Sequence, residues 1–248
     1  LSTKVISSIA AFAAALLLAV YVLMPVSGTM TQEFTRTSAQ PATGCAPVPA
    51  STTRKITVMG DSISTTYGAS APGYSWPEML KTQGATHGWS VITQGQGGTM
   101  ASQYLPGQPN FWITEQVRSA LPDVVTLNFR TNEQLQGQSA AQLKTSLLGL
   151  MDAIRSVSPG TQFLMINPPM MWYHGFFTTP ETQADFTAKM WEAGHERGAC
   201  FVDMKPAFPT SPQDPRRAVL TPDDIHPSDA GHAIFFAAVY AALLQSCG

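Results

Sequence analysis

From Arg54 onward, short apolar runs alternate with longer segments of mixed polarity. The short runs are KITVMG (55–60), WSVITQG (89–95), DVVTLNF (123–129), QFLMINP (162–168) and CFVDM (200–204). They are rich in β-branched residues and mostly apolar at successive positions. That pattern predicts parallel strands buried on both faces. Between them lie helical stretches at Trp76–Thr86, Phe111–Ala120, Ala140–Val157 and Glu181–Arg197. A last helix is expected from Ser228 to about Gln245, with Pro227 suited to its first turn. Glycine or proline follows several of these stretches, at Gly88, Pro122, Pro159-Gly160 and Gly198.

Strand–helix alternation of this kind predicts a parallel sheet covered by helices on both faces. Ligands of such folds bind at the carboxyl ends of the strands. The loops of interest therefore begin after Met59, Gln94, Phe129, Asn167 and Met204.

The amino-terminal part breaks the alternation. Val5–Val26 is an unbroken uncharged segment preceded by Lys4. It reads as a signal peptide or as a retained membrane anchor, over residues 1–28. With Lys4 left inside, either reading exports the rest of the chain, to the medium or to the outer face of the cytoplasmic membrane. A core helix would have to bury apolar side chains around its whole circumference. Residues 29–53 are rich in Thr, Ser, Ala and Pro and read as a linker. The folded domain is expected over 54–248. Three cysteines, Cys45, Cys200 and Cys247, suit an oxidising compartment. The expected pairing is Cys45–Cys247, tying the linker to the last helix.

Charge adds an exclusion. Charged residues make up 12% of the 248, against a usual ~25%, and the formal net charge is −2. Lys and Arg are scattered, so a nucleic-acid partner is not expected.

The chemistry-bearing residues gather in the loops named above. GDSIS follows the first strand, GQGGTM the second and RTNE the third, while TPDDIHPSDAGH lies beyond the fifth. Alone, Ser62 is ordinary turn chemistry. Together the loops supply what acyl transfer needs. A serine nucleophile requires a base, and His226 can be that base. A carboxylate must hold the imidazole, and backbone N–H groups with an amide must stabilise an oxyanion. Gly98 permits close backbone approach, and Asn132 carries an NH₂. His87, His174, His195 and His232 show no metal-ligand spacing, and no His-Glu-x-x-His motif occurs.

These blocks resemble those of the SGNH, or GDSL, hydrolase family, in the same order and over most of residues 55–232. GDSIS resembles the first block and implies Ser62 as nucleophile. GQGGTM resembles the second and implies Gly98 as an oxyanion glycine. RTNE resembles the third, usually Gly-x-Asn-Asp, and carries Asn132. DDIHP resembles the last, Asp-x-x-His-Pro, and implies Asp223 and His226. Asp224 is expected to be a solvated neighbour. The resemblance implies a flavodoxin-like three-layer α/β/α sandwich with a five-stranded parallel sheet in the order 2-1-3-4-5. It implies ester hydrolysis with no metal or organic cofactor. The oxyanion hole would comprise the N–H of Ser62, the N–H of Gly98 and the side chain of Asn132.

Two positions depart from the family pattern: Arg130 stands where glycine is usual, and Glu133 where Asp is usual. Arg130 is expected either to line the pocket and contact substrate or to point outward. The loop NPPMMWYHGFF (167–177) offers Trp172 and Tyr173 as substrate contacts, or else folds onto the core. Trp76 is expected to pack the first helix. The function expected is that of an exported serine esterase or lipase acting on an ester-containing small molecule or lipid. The alternative is an O-acyltransferase or deacylase acting on acylated envelope glycans or glycolipids. A non-catalytic binding module of the same fold is a third reading, disfavoured by the complete set of reactive residues.

Overall fold

The computed structural model describes residues 53–172 and 180–245. The leader, linker residues 29–52 with Cys45, Tyr173, His174 and Cys247 lie outside them. The described chain forms β1 (Lys55–Gly60), α1 (Trp76–Ala85), β2 (Ser90–Gly95), α2 (Phe111–Ser119), β3 (Val124–Asn128), α3 (Thr131–Leu135), α4 (Ala140–Arg155), β4 (Gln162–Asn167), α5 (Pro180–Glu196), β5 (Cys200–Asp203), α6 (Arg217–Leu220) and α7 (Asp229–Gln245). Every strand read from the sequence is present, shortened by no more than a residue or two at its ends. The five strands pair in parallel in the order β2-β1-β3-β4-β5.

The apolar runs are continuous because both faces of the sheet are covered. Successive side chains of a strand point to opposite faces. Val125 and Leu127 of β3 and Phe163 and Met165 of β4 pack with α2, α4 and α5, through Val117, Leu147, Leu150 and Met190. Ile56 and Val58 of β1 and Leu164 and Ile166 of β4 pack on the other side with α1 and α7, through Leu80, Phe235, Val239 and Leu243. Two cores of this kind define the α/β/α sandwich. Trp76 lies in the second core, and its indole N–H donates to the Ile63 carbonyl at 2.7 Å.

The expected Cys45–Cys247 pairing is overturned. Cys200 is disulfide-bonded, and its partner lies outside the described residues. With three cysteines in the chain, Cys45 and Cys247 are then not joined to each other. Cys200 opens β5 and sits in the same core cluster as Leu243 near the end of α7, a tertiary proximity that loop spacing does not reveal. Among the described residues no helix is long and apolar enough to cross a membrane.

At the carboxyl edge of the sheet, chain segments approach closely. A Cβ on Gly60 would lie 2.4 Å from the Asn128 carbonyl oxygen and 2.4 Å from Ser64 Oγ. The absence of a side chain lets the turn after β1 sit directly on the end of β3. Gly60→Ala is expected to destabilise the protein by about 1–3 kcal/mol, in the range of core overpacking. Urea denaturation measures it; a change below about 0.5 kcal/mol would mean that the approach is not a constraint.

Candidate active site

The first block forms a strand-to-turn junction. A single 3₁₀ turn, Ser62–Ser64, follows β1, and the Asp61 carboxylate caps it by accepting the Ile63 N–H at 2.9 Å. The Asp61 N–H donates to Asn128 O at 3.2 Å, fixing the junction to β3. Thr65 Oγ1 donates to the Ser62 carbonyl at 2.6 Å. The turn thus places the Ser62 side chain at the sheet edge, with its backbone held at both ends.

The last block arrives from the opposite end of the chain. His226 Nε2 lies 2.9 Å from Ser62 Oγ, across 164 residues of sequence. His226 Nδ1 lies 2.6 Å from Asp223 Oδ2. The other carboxylate oxygen of Asp223 accepts the N–H of Ile225 at 3.0 Å and of His226 at 2.7 Å. Partial burial pushes the Asp223 carboxyl up. The hydrogen bonds from the His226 ring and from these two N–H groups outweigh it, so the group lies below its usual range. An ionised carboxylate only accepts, so it selects the tautomer with hydrogen on Nδ1. Nε2 is then the acceptor facing the Ser62 hydroxyl. Asp224 has turned away: its side chain pairs with Arg217 at 3.0 Å.

The second and third blocks close the other side of Ser62. Gly98 has φ +75°, a conformation that favours glycine. Its carbonyl accepts from Gln136 Nε2 at 3.4 Å, and Asn132 Nδ2 donates to the Thr99 carbonyl at 3.0 Å. One N–H of the Asn132 amide is used in this way, and the other is left for a ligand. Thr99 is fixed in turn by its hydroxyl contacts with Gln96 O at 2.7 Å and Tyr104 Oη at 2.8 Å.

Both expectations for Arg130 are overturned. The side chain neither lines a substrate pocket nor points outward: it is 0% exposed. Its guanidinium donates to Asn167 Oδ1 at 3.0 Å and to the carbonyls of Pro168 (2.9 Å) and Pro169. The residue has φ 123°, so an arginine occupies a backbone conformation suited to the family's glycine. Burial lowers the guanidinium pKa to about 10, opposed by Asp203, Asp61 and Glu133, so it stays charged at neutral pH. Arg130 therefore clamps the start of the loop after β4. That loop continues to Trp172, whose backbone N–H donates to the Asp224 carbonyl at 3.2 Å. Trp172 is 9% exposed, close to Ser62 (7%) and Asn132 (8%), and the described half of the loop folds into the protein.

Glu133 and Asp61 were not singled out by the sequence as site residues. The longer side chain of Glu133 bridges two blocks: Oε1 accepts the Ala101 N–H at 2.7 Å and Oε2 the Arg130 N–H at 2.8 Å. Burial raises its pKa, opposed by these N–H groups and by the Arg130 charge. The Arg130-x-x-Glu133 spacing, an acid reaching back to the residue that starts a helix, is the sequence signal for this contact. Asp61 is 0% exposed, and burial raises its carboxyl pKa to about 7, against the Ile63 N–H bond and reinforced by Glu133. His232 is also placed structurally. It accepts the Trp76 backbone N–H at Nδ1 (3.4 Å) and donates from Nε2 to the Tyr67 carbonyl (2.9 Å). Among the described residues no group of three or more His, Cys, Asp or Glu side chains could hold a metal ion.

A hydroxyl, an imidazole and a carboxylate in line at the carboxyl edge of a parallel sheet form the arrangement of a serine hydrolase. Residues 58–234 match the model of the GDSL-like Lipase/Acylhydrolase family, and the chain belongs to that family of carboxylic ester hydrolases. Solved structures share the fold. TesA superposes with a TM-score of 0.58 at 18% identity, covering 77% of this chain and 98% of that one. The psychrotrophic esterase EstA from Pseudoalteromonas sp. gives 0.60 at 16% identity, covering 77% and 97%. The acetylxylan esterase Axe2 from Geobacillus stearothermophilus gives 0.61 at 19% identity, covering 78% and 94%. No sequence among curated proteins matches the chain.

The placement of Arg130 generates one expectation. Arg130→Gly relieves the backbone but leaves buried carboxylates and three acceptors without their donor. It should cost about 3 kcal/mol or more of stability, as for a broken buried pair. The ratio of kcat/KM between substrates should not change. An altered substrate ranking with unchanged stability would return Arg130 to the pocket.

Asp61 generates another. Its folded pKa lies above the unfolded value, so its contribution to stability is present at low pH and lost as pH rises from about 4 to about 7. Asp61→Asn removes this dependence. Urea unfolding across that window should show the variant gaining on wild type with rising pH, with a slope on the order of 1.4 kcal/mol per pH unit. A flat difference would mean that Asp61 is buried as an anion.

Proposed function

We propose that the protein is an exported serine esterase that forms an acyl-Ser62 intermediate. The observation that carries this reading is the contact of Ser62 Oγ with His226 Nε2 at 2.9 Å, continued to Asp223 at 2.6 Å. As Ser62 Oγ attacks the ester carbonyl carbon, its proton passes to Nε2. The carbonyl oxygen becomes an oxyanion, received by the N–H groups of Ser62 and Gly98 and the free N–H of Asn132. The carbon–oxygen bond to the alcohol then breaks, and Nε2 returns the proton to the departing oxygen. Water attacks the acyl-serine by the same steps in reverse, and the acid leaves with Ser62 regenerated. Asp223 holds the ring and stabilises the imidazolium without taking the proton.

Two observations support export. The uncharged stretch Val5–Val26 follows Lys4, and Cys200 is held in a disulfide, which persists in oxidising compartments. Transfer of the acyl group to a sugar hydroxyl in place of water is the second reading. The same three residues, Ser62, His226 and Asp223, would serve it, the sugar hydroxyl giving its proton to His226 Nε2 where water does so in hydrolysis.

The test is hydrolysis of p-nitrophenyl esters of rising acyl length, together with acetylated sugars. Ser62→Ala should lose nearly all turnover, and Asn132→Ala about 10²–10³ in kcat. Asp223→Asn should lose about 10⁴, while Asp224→Asn stays within a few-fold of wild type. Turnover surviving in Ser62→Ala would refute the mechanism, and the reverse order of the two aspartates would refute the assignment of the acid.

A further inference from the structure

Tyr67 follows Ser62 by one short turn, and the residue is 62% exposed. An exposed aromatic on a loop is normally free to move. This one is tied down at several points. Its N–H donates to Thr65 Oγ1 at 3.2 Å, and its carbonyl accepts from the buried His232 at 2.9 Å. The next residue, Gly68, lies so close to the final block that an added Cβ would stand 2.3 Å from the Pro227 carbonyl oxygen and 3.0 Å from His226 Cβ. Beyond it, the N–H and hydroxyl of Ser70 donate to Asp229 at 2.7 and 2.6 Å. The Tyr67 ring lies against the His226 imidazole, centroids 4.6 Å apart and planes inclined at 40°. The rest of the ring faces solvent, among the exposed small residues Thr66, Gly68 and Ser70.

Position and chemistry together give this ring a role. In ester cleavage the departing oxygen must reach His226 Nε2, because that atom returns the proton. The acyl oxygen lies on the other side, toward Gly98 and Asn132. The alcohol moiety therefore leaves past the imidazole, beside which Tyr67 stands. A rigid exposed aromatic face surrounded by small, mostly polar residues offers stacking to one face of a ring and water to its substituents.

We propose that Tyr67 is a specificity residue for the alcohol side of the substrate, stacking on the ring of an acylated pyranose. The inference rests on the esterase reading above. It extends that reading from the reaction to the class of alcohol.

The test compares two acetate esters that differ only in alcohol, ethyl acetate and an acetylated methyl pyranoside, with wild type, Tyr67→Ala and Tyr67→Phe. Tyr67→Ala should lower the ratio of kcat/KM for the pyranoside over ethyl acetate about tenfold, chiefly through KM. Tyr67→Phe should restore it, because stacking needs the ring and not the hydroxyl. Among p-nitrophenyl esters of varied acyl length, the ranking should not change in either variant. An equal loss on both acetates, with a shifted pH profile, would make Tyr67 a support for His226 and overturn the proposal. So would an unchanged ratio in Tyr67→Ala. Failure of wild type to hydrolyse any of these esters would overturn the esterase reading itself, a result separate from either of those.

Discussion

Ser62 and His226 are 164 residues apart and meet at 2.9 Å, and the rest of the molecule is arranged around that contact. It requires the turn after β1 and the loop before α7 to reach the same edge of the sheet. Parallel strand order brings them there, because β1 lies inside the sheet between β2 and β3, and α7 packs on the face that β1 shares with α1. A hydrogen bond of this length tolerates little displacement before it is lost. The packing of both segments therefore bears directly on the chemistry.

Each partner is held by buried polar groups that do not themselves face substrate. Asp61 caps the serine turn from below, and Glu133 ties the asparagine turn to the loop that carries Gly98. Arg130 clamps the loop after β4, and that loop reaches the Asp224 carbonyl through Trp172. Asp61, Arg130 and Glu133 are buried together, with Asp61 uncharged through most of the acid range and Arg130 cationic throughout. Such a cluster costs desolvation, and breaking it by removing one member leaves uncompensated buried charge. The loops that it holds are those around Ser62.

The strands and the long helices were legible because buried parallel strands leave continuous apolar runs that local reading detects, whereas the strand order came from the family resemblance. Ser62, Asp223 and His226, which the structure brings together, were legible because the short blocks that hold them resemble the family's in order along the chain. What escaped the sequence depends on distant partners. Arg130 reads as a surface or pocket residue until the carbonyls of Pro168 and Pro169 are seen around it. Asp61 reads as a turn residue, and nothing local announces that burial raises its pKa. The disulfide of Cys200 depends on which tertiary neighbours meet at the start of β5. Tyr67 carries no motif at all; its importance comes from the ring it lies against.

The central claim is that Ser62 is an activated nucleophile held by His226 and Asp223. Its most direct measurement is covalent capture. The protein is treated with a fluorophosphonate ester, and the adduct is mapped by peptide mass spectrometry. Stoichiometric labelling at Ser62, much slowed in a His226→Ala variant, is the result predicted here. An unlabelled Ser62, or label on another residue, would contradict it.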